Sequence, residues 1–240
     1  MQQYFIEEID GKFRLKQEDF YHLTTVLRAT NKTIICINNK DAYLCNFKYD
    51  GKDYNIEILE KQNRDNELKV RIELYQALIK NDNFDLVLQK ATELGASAIS
   101  PTIFSRNVVK IEKSKEYNKL IRYEAIVKNA SEQSHRNIVP EIMTITNVKD
   151  IKINNDDEIG IVCYEKCDDT KSILSIKNKI KDAKTIKVVI GPEGGITTEE
   201  HHILLKNGFY SVSLGKRILR SETAAMNILS ILEYIIEIEG

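Results

Sequence analysis

Apolar and polar positions alternate along much of the first seventy-odd residues. The runs 33–37 (TIICI), 42–48 (AYLCNFK), 53–60 (DYNIEILE) and 67–74 (ELKVRIEL) are short and rich in β-branched and aromatic residues, as expected of strands with one buried face. Polar breaks at Asn38-Asn39, Asp50-Gly51 and 63–66 separate them. The pattern predicts a small β-barrel or sandwich, preceded by a helix over 18–29. After Gln76 the period lengthens. Apolar residues at 84, 87, 88, 91 and 94 mark a helix that stops at Gly95. A strand at 98–104, a long helix at 113–134, a buried strand at 158–164 and a helix at 172–180 follow. A strand at 185–190, a helix at 197–207 ended by Gly208, a strand at 210–214 and a last helix at 221–238 complete the order.

Strands alternating with helices imply an α/β domain with a mainly parallel sheet. The change of texture near 72–78 divides the chain into domains 1–74 and 75–240. The last helix carries Met226, Ile228, Leu229, Ile231, Leu232, Ile235, Ile236 and Ile238. That is more than one apolar stripe, which favours a subunit interface over a simple core face.

Composition narrows the class without identifying it. The 240 residues are 42% hydrophobic and 30% charged, with 10 Gly and 3 Pro, which excludes disordered and low-complexity chains. No apolar run is long enough to span a bilayer. Glu7, Glu8 and Asp10 replace any basic-then-apolar leader pattern, so a cytoplasmic protein is expected. The formal net charge of −1 gives no general sign of nucleic-acid binding. Locally, 106–128 holds seven basic residues against three acidic ones, either a solvated helix face or a phosphate-binding one. Cys36 and Cys45 lie in apolar runs and read as core residues. Cys163 and Cys167 lack a common zinc spacing, and the adjacent His201 and His202 make a poor ligand pair, so no metal site is expected.

Two loops carry the candidate chemistry. The first is Gly191-Pro192-Glu193-Gly194-Gly195-Ile196-Thr197, between an apolar strand and a helix whose start has the T-x-x-E capping pattern of Thr197 and Glu200. Its glycines permit sharp turns and close approach of a ligand. The loop lies beyond a strand's carboxyl end, where open α/β sheets bind ligands. It lacks the Lys-Ser/Thr of a phosphate loop and the spacing of a dinucleotide fingerprint, and Glu193 suits a cationic or neutral ligand. The second is 214–224 (LGKRILRSETA), in which Ser221, Glu222 and Thr223 are placed to cap the last helix. Arg217 and Arg220 bring two guanidinium forks to the strand end, either for a phosphate or base or for ion pairs with Glu193 or Glu222.

Together, IGPEGGIT (190–197) and LGKRILRSETA (214–224) closely resemble the bacterial 16S ribosomal RNA (uracil-N3)-methyltransferases of the SPOUT class. Further motifs follow the same order: HLTTVLR at 22–28, QKATELG at 89–95 and SEQSHRNIVP at 131–140. The sequence departs from the family's usual turns at 29–33 and 38–40. Arg220-Ser221-Glu222-Thr223 stands where ribose-methylating SPOUT enzymes have Ser-Leu-Asn, which favours a base as target.

The resemblance implies a trefoil-knotted α/β domain at 75–240 and a PUA-like RNA-binding β-barrel at 1–74. It implies S-adenosylmethionine held by Tyr164, Glu165, Gly191, Glu193, Gly194, Gly195, Leu214, Gly215, Ile218 and Leu219. Arg220 and Glu222 would act on the base, and His22, Arg28, Arg106, Arg136 and Arg217 would contact RNA. It further implies a homodimer acting on small-subunit RNA or the assembled 30S subunit, with no metal. A non-enzymatic RNA-binding protein, a nucleotide-binding transferase and a SPOUT enzyme with another RNA target are the alternatives.

Overall fold

The computed structural model describes residues 1–166 and 172–238 of the 240; Cys167 lies outside them. The chain divides into two compact units, Met1–Glu67 with Ser131–Ile138, and Leu68–Ala130 with Val139–Gly240.

The first unit is a five-stranded mixed sheet in the order β2-β1-β3-β4-β5. Its strands are β1 (Gln3–Ile9), β2 (Lys12–Leu15), β3 (Asn31–Asn38), β4 (Asp41–Tyr49) and β5 (Tyr54–Gln62). The sheet curls so that the Leu15 N–H of β2 donates to the Tyr54 hydroxyl of β5 at 3.0 Å. Cys36 and Cys45 are buried thiols in its core with Tyr4, Ile34 and Phe47. β1 and β2 were not anticipated. Short strands this close to the chain start carry little period, and β1 is recruited by parallel pairing with β3.

The helix expected over 18–29 is shorter: α1 (Gln17–Tyr21) passes into a π-helical turn at His22–Val26. The turn ends at Arg28, in the left-handed region at φ 51°. The β3–β4 turn is built without glycine, from Asn39 at φ 48° and Lys40 at φ 74°. Two successive left-handed residues match the twist of a two-residue hairpin.

The second unit is built on β6 (Arg71–Ala77), β7 (Ala98–Ile103), β8 (Glu141–Ile142), β9 (Thr146–Asn147), β10 (Glu158–Cys163), β11 (Thr185–Ile190) and β12 (Phe209–Val212). The order is β12-β10-β11-β6-β7-β8, with β9 also on β7, and every pairing is parallel. The run 67–74, read as a barrel strand, is therefore corrected. Its residues from Arg71 form β6, between β11 and β7, and the first unit ends at Glu67. The segment Ser131–Ile138 joins the first unit, a return that local pattern does not reveal.

Both faces of this sheet are covered, which explains its near-continuous apolar strands. Ile72 and Leu74 of β6, Ile161 of β10 and Val188 of β11 face one cluster, with α2 (Asn81–Glu93), α3 (Lys113–Gln133) and α6 (Ser221–Glu237). Tyr75, Val162 and Val189 face the other, with Leu204 of α5 (Thr198–Lys206). Each fully buried aliphatic side chain contributes roughly 1.5–3 kcal/mol. The stretch expected as a helix over 172–180 is a 3-10 turn at Ile173–Ile176 leading into α4 (Lys177–Asp182).

The last helix is chiefly a core element. Ala225, Ile228, Leu229, Leu232 and Ile235 are buried and Ile231 and Ile236 pack partly against the same cluster, leaving Tyr234 and Ile238 exposed.

Candidate functional site

β12, β10 and β11 are adjacent and parallel, so their carboxyl ends open onto one edge of the sheet. The segments that follow them are 164–166, 191–197 and 213–220. This brings Tyr164, Glu165, Gly191, Glu193, Gly194, Gly195, Leu214 and Gly215 to one side of one unit.

The glycine loop is fixed by its own packing. The Gly195 N–H donates to the Pro192 carbonyl at 2.9 Å. Gly195 lies at φ +72°, and the Glu165 carboxylate occupies the place a Cβ would take. A Cβ on Gly191 would come within 2.5 Å of Ile196 Cγ1, and one on Gly194 within 3.0 Å of Arg106 Cβ. A side chain at Gly191 would thus force Ile196 to shift, one at Gly194 would press tightly on Arg106, and at Gly195 the left-handed backbone itself disfavours one.

Thr197 caps α5 as expected. Its hydroxyl oxygen accepts from the Glu200 N–H at 3.1 Å, and Glu200 Oε2 accepts from the Thr197 N–H at 3.0 Å. Glu200 Oε1 accepts from the Ser105 N–H and hydroxyl at 2.7 and 2.8 Å. Burial pushes the Glu200 carboxyl up, but these donors outweigh it and hold the carboxyl below its ordinary value. Arg106 then reaches over the loop, its Nη1 donating to the Gly194 carbonyl at 3.1 Å.

Tyr164 is buried, with its ring stacked on His201 at 3.9 Å between centroids. His201 Nε2 lies 2.9 Å from the Ser211 hydroxyl of β12. The imidazole thus holds the aromatic that follows β10.

The second loop leaves Gly215 at φ +103° with open space where a Cβ would be. Lys216, Arg217, Ile218 and Arg220 are exposed, and Leu214 and Leu219 are half-buried. Arg220 is the residue preceding the first turn of α6 and makes no side-chain cap. Among the described residues Arg217 and Arg220 have no side-chain hydrogen bond or ion pair, so the alternative that they pair with Glu193 or Glu222 is not realised. Glu222, in the first turn, is 7% exposed, and its Oε2 is buried with no partner. A carboxylate there gains from the helix dipole but lacks a donor.

The expectation that Ser221 caps α6 is corrected. Ser221 is buried, and its hydroxyl donates to the Gly191 carbonyl at 2.6 Å and accepts from Gln76 Nε2 at 2.9 Å. Gln76, at the carboxyl end of β6, is fully buried and was not singled out from sequence. The available signal was a lone glutamine in the otherwise apolar stretch 74–79.

Of the residues expected to meet RNA, His22 and Arg28 are exposed in the first unit, and Arg106 and Arg217 in the second. The imidazole of His22 lies 2.9 Å from the Tyr4 hydroxyl. Arg136 is corrected. It is 4% exposed, and its guanidinium is bound to the Glu67 carboxylate, with Nη2 at 2.5 Å from Oε2. Glu67 Oε1 also accepts from the Asn137 and Ile138 N–H groups at 2.8 and 3.0 Å. Arg136 anchors its own segment inside the first unit.

A family model described as an RNA methyltransferase domain matches residues 66–233. The ribosomal RNA small subunit methyltransferase E of Bacillus subtilis is 32% identical to this chain, covering 99% of it and 98% of the relative. The protein of the same name from Mesomycoplasma hyopneumoniae is 33% identical, covering 96% and 98%. Among solved structures, the ribosomal RNA small subunit methyltransferase E of Neisseria gonorrhoeae, bound to S-adenosylmethionine, superposes with a TM-score of 0.85 at 28% identity over 98% of each chain. A putative methyltransferase of Legionella pneumophila, also with bound S-adenosylmethionine, gives 0.85 at 26% identity over 97% of each.

Proposed function

The chain belongs to the ribosomal RNA small subunit methyltransferase E family, and from that premise we propose that it transfers the methyl group of S-adenosylmethionine to N3 of one uridine in small-subunit (16S) ribosomal RNA. The observation that carries this reading is the convergence of three parallel strand ends on one edge, where the 191–197 glycine loop lies beside the start of α6.

The residues fit the cofactor. Exposed Glu165 and Glu193 suit a cationic ligand, and Gly215 leaves room beside the strand end. Tyr164, Gly191, Gly194, Gly195, Leu214, Ile218 and Leu219 would line the cofactor with backbone groups and apolar surface. When bound, S-adenosylmethionine supplies an electrophilic methyl on a sulfonium.

The chain's own part is positioning and charge control. Uridine N3 carries a proton and is a weak nucleophile until that proton leaves or the ring oxygens are stabilised. Arg220, exposed and unpaired among the described residues, stabilises negative charge developing on O2 or O4. Glu222, buried and without a donor on Oε2, accepts the proton directly or through water.

His22, Arg28, Arg106 and Arg217 contact RNA in this reading, with the curled sheet of the first unit serving as a PUA-like RNA-binding barrel. A trefoil knot in the second unit belongs to this reading, in which β11 and β12 lie on opposite sides of β10. A homodimer is supported by exposed Ile218, Tyr234 and Ile238. No helix of the described residues is long and apolar enough to cross a membrane, which accords with a cytoplasmic enzyme acting on the RNA or the assembled 30S subunit.

The test is methyl transfer from labelled S-adenosylmethionine to small subunits and to naked small-subunit RNA, both from a strain lacking the gene, followed by nucleoside mass analysis. N3-methyluridine on either acceptor is the expected product. A methyl on a ribose hydroxyl, or none on either acceptor, overturns the assignment.

A further inference from the structure

Gln76 and Ser221 are separated by 145 positions and meet inside the second unit. Gln76 is fully buried on a central strand between β11 and β7, where an aliphatic side chain would pack without needing partners. A buried amide is tolerated there only if its polar atoms are matched. Its Nε2 donates to the Ala77 carbonyl at 3.2 Å and to the Ser221 hydroxyl oxygen at 2.9 Å. A carbonyl accepts only, so the amide orientation is determined. The single Ser221 hydroxyl proton is then directed to the Gly191 carbonyl at 2.6 Å. Three elements with no loop in common are joined in one line: β6, the first turn of α6 and the first residue of the glycine loop.

We propose that Gln76 is a positioning residue for methyl transfer, fixing the 191–197 loop to the start of α6 through the Ser221 hydroxyl. The inference rests on the methyltransferase reading. The loop is the cofactor's side of that site, and Arg220 and Glu222 flank Ser221 on the base's side. The relay therefore sets the distance between the two reacting partners without touching either. Two buried acceptors remain unmatched among the described residues: Gln76 Oε1 in the relay itself and Glu222 Oε2 on the residue next to it.

The test compares Gln76→Met and Ser221→Ala with Ser221→Thr, which keeps the hydroxyl. In the protein without cofactor, amide hydrogen exchange at 193–197 and 221–224 should quicken roughly 3- to 10-fold in the first two variants, the loss of one hydrogen bond, and stay near wild type in the third. At saturating cofactor, single-turnover methyl transfer per folded molecule should fall about 10- to 100-fold in the first two, the scale of a small misplacement of reacting groups, with Ser221→Thr retaining most of the rate. Unchanged exchange overturns the relay. Faster exchange with transfer within about twofold of wild type, whose own transfer is the reference, overturns the positioning role. Wild-type protein that transfers no methyl while the exchange differences persist would sink the methyltransferase reading and leave the relay standing.

Discussion

Glu200 and Ser105 lie 95 positions apart, yet one oxygen of the Glu200 carboxylate accepts both the Ser105 N–H and its hydroxyl, at 2.7 and 2.8 Å. The other oxygen closes the capping box with Thr197. One buried carboxylate thus joins the loop after β7 to the glycine loop after β11. The second grip on that loop is Arg106 on the Gly194 carbonyl.

Glu200 makes stability depend on pH on the acid side. Burial alone would raise its carboxyl, and the donors from Ser105 and Thr197 lower it below 4.5. A carboxyl depressed on folding contributes stability that is present above its unfolded value and lost as pH falls through its folded value. The Tm difference between wild type and Glu200→Gln should be widest at neutral pH and shrink below about pH 4.5. Thermal melts from pH 3 to 7 check this; a constant difference would contradict it.

Arg220→Ala should abolish methyl transfer with cofactor affinity largely kept, because its guanidinium has no structural partner among the described residues. Glu222→Gln should slow transfer by about 100-fold or more if the carboxylate takes the proton. Calorimetry with S-adenosylmethionine and single-turnover kinetics separate the two steps. Full activity of either variant removes that residue's role.

Gly195→Ala combines two penalties. The residue is left-handed at φ +72°, and the Glu165 carboxylate fills the Cβ position. The backbone term alone costs about 1–2 kcal/mol, and displacement of Glu165 should weaken cofactor binding as well. Urea unfolding and calorimetry should both respond.

Arg136→Ala should destabilise the first unit by about 3 kcal/mol, since it leaves the half-buried Glu67 carboxylate without its cation. The double variant with Glu67→Ala should cost less than the sum of the two single changes. Equilibrium unfolding of the four proteins completes the cycle.

Lys40→Gly should stabilise the protein by about 1 kcal/mol, because Lys40 is held at φ 74° where a side chain is strained. Its carbonyl, which accepts from Asn137 Nδ2 at 2.7 Å, is retained. A rise in Tm is the expected result.

Several elements were legible because their cause is local. The apolar run TIKVVI is β11 residue for residue, and the T-x-x-E cap and the stop at Gly208 bound α5 within a residue. The glycine loop and LGKRILRSETA identified the family before any coordinate, since turn chemistry and close approach leave their mark on consecutive residues.

What sequence alone determined is therefore the inventory: an α/β unit with a parallel sheet, the loops at its strand ends, and the residues around which a methyl-transfer site is proposed. Tertiary structure decided which pieces meet. The run 67–74 has a strand's pattern, but only pairing with β11 and β7 gives its second half to the parallel sheet. Arg136 looks like any exposed arginine in sequence until Glu67 claims it. Ser221 has the residue type of a helix cap until Gln76 and Gly191 draw its hydroxyl elsewhere. Hydrogen bonds and ion pairs between residues 30 to 145 positions apart leave no period and no spacing in the chain, because they depend on the sheet order that brings the partners together.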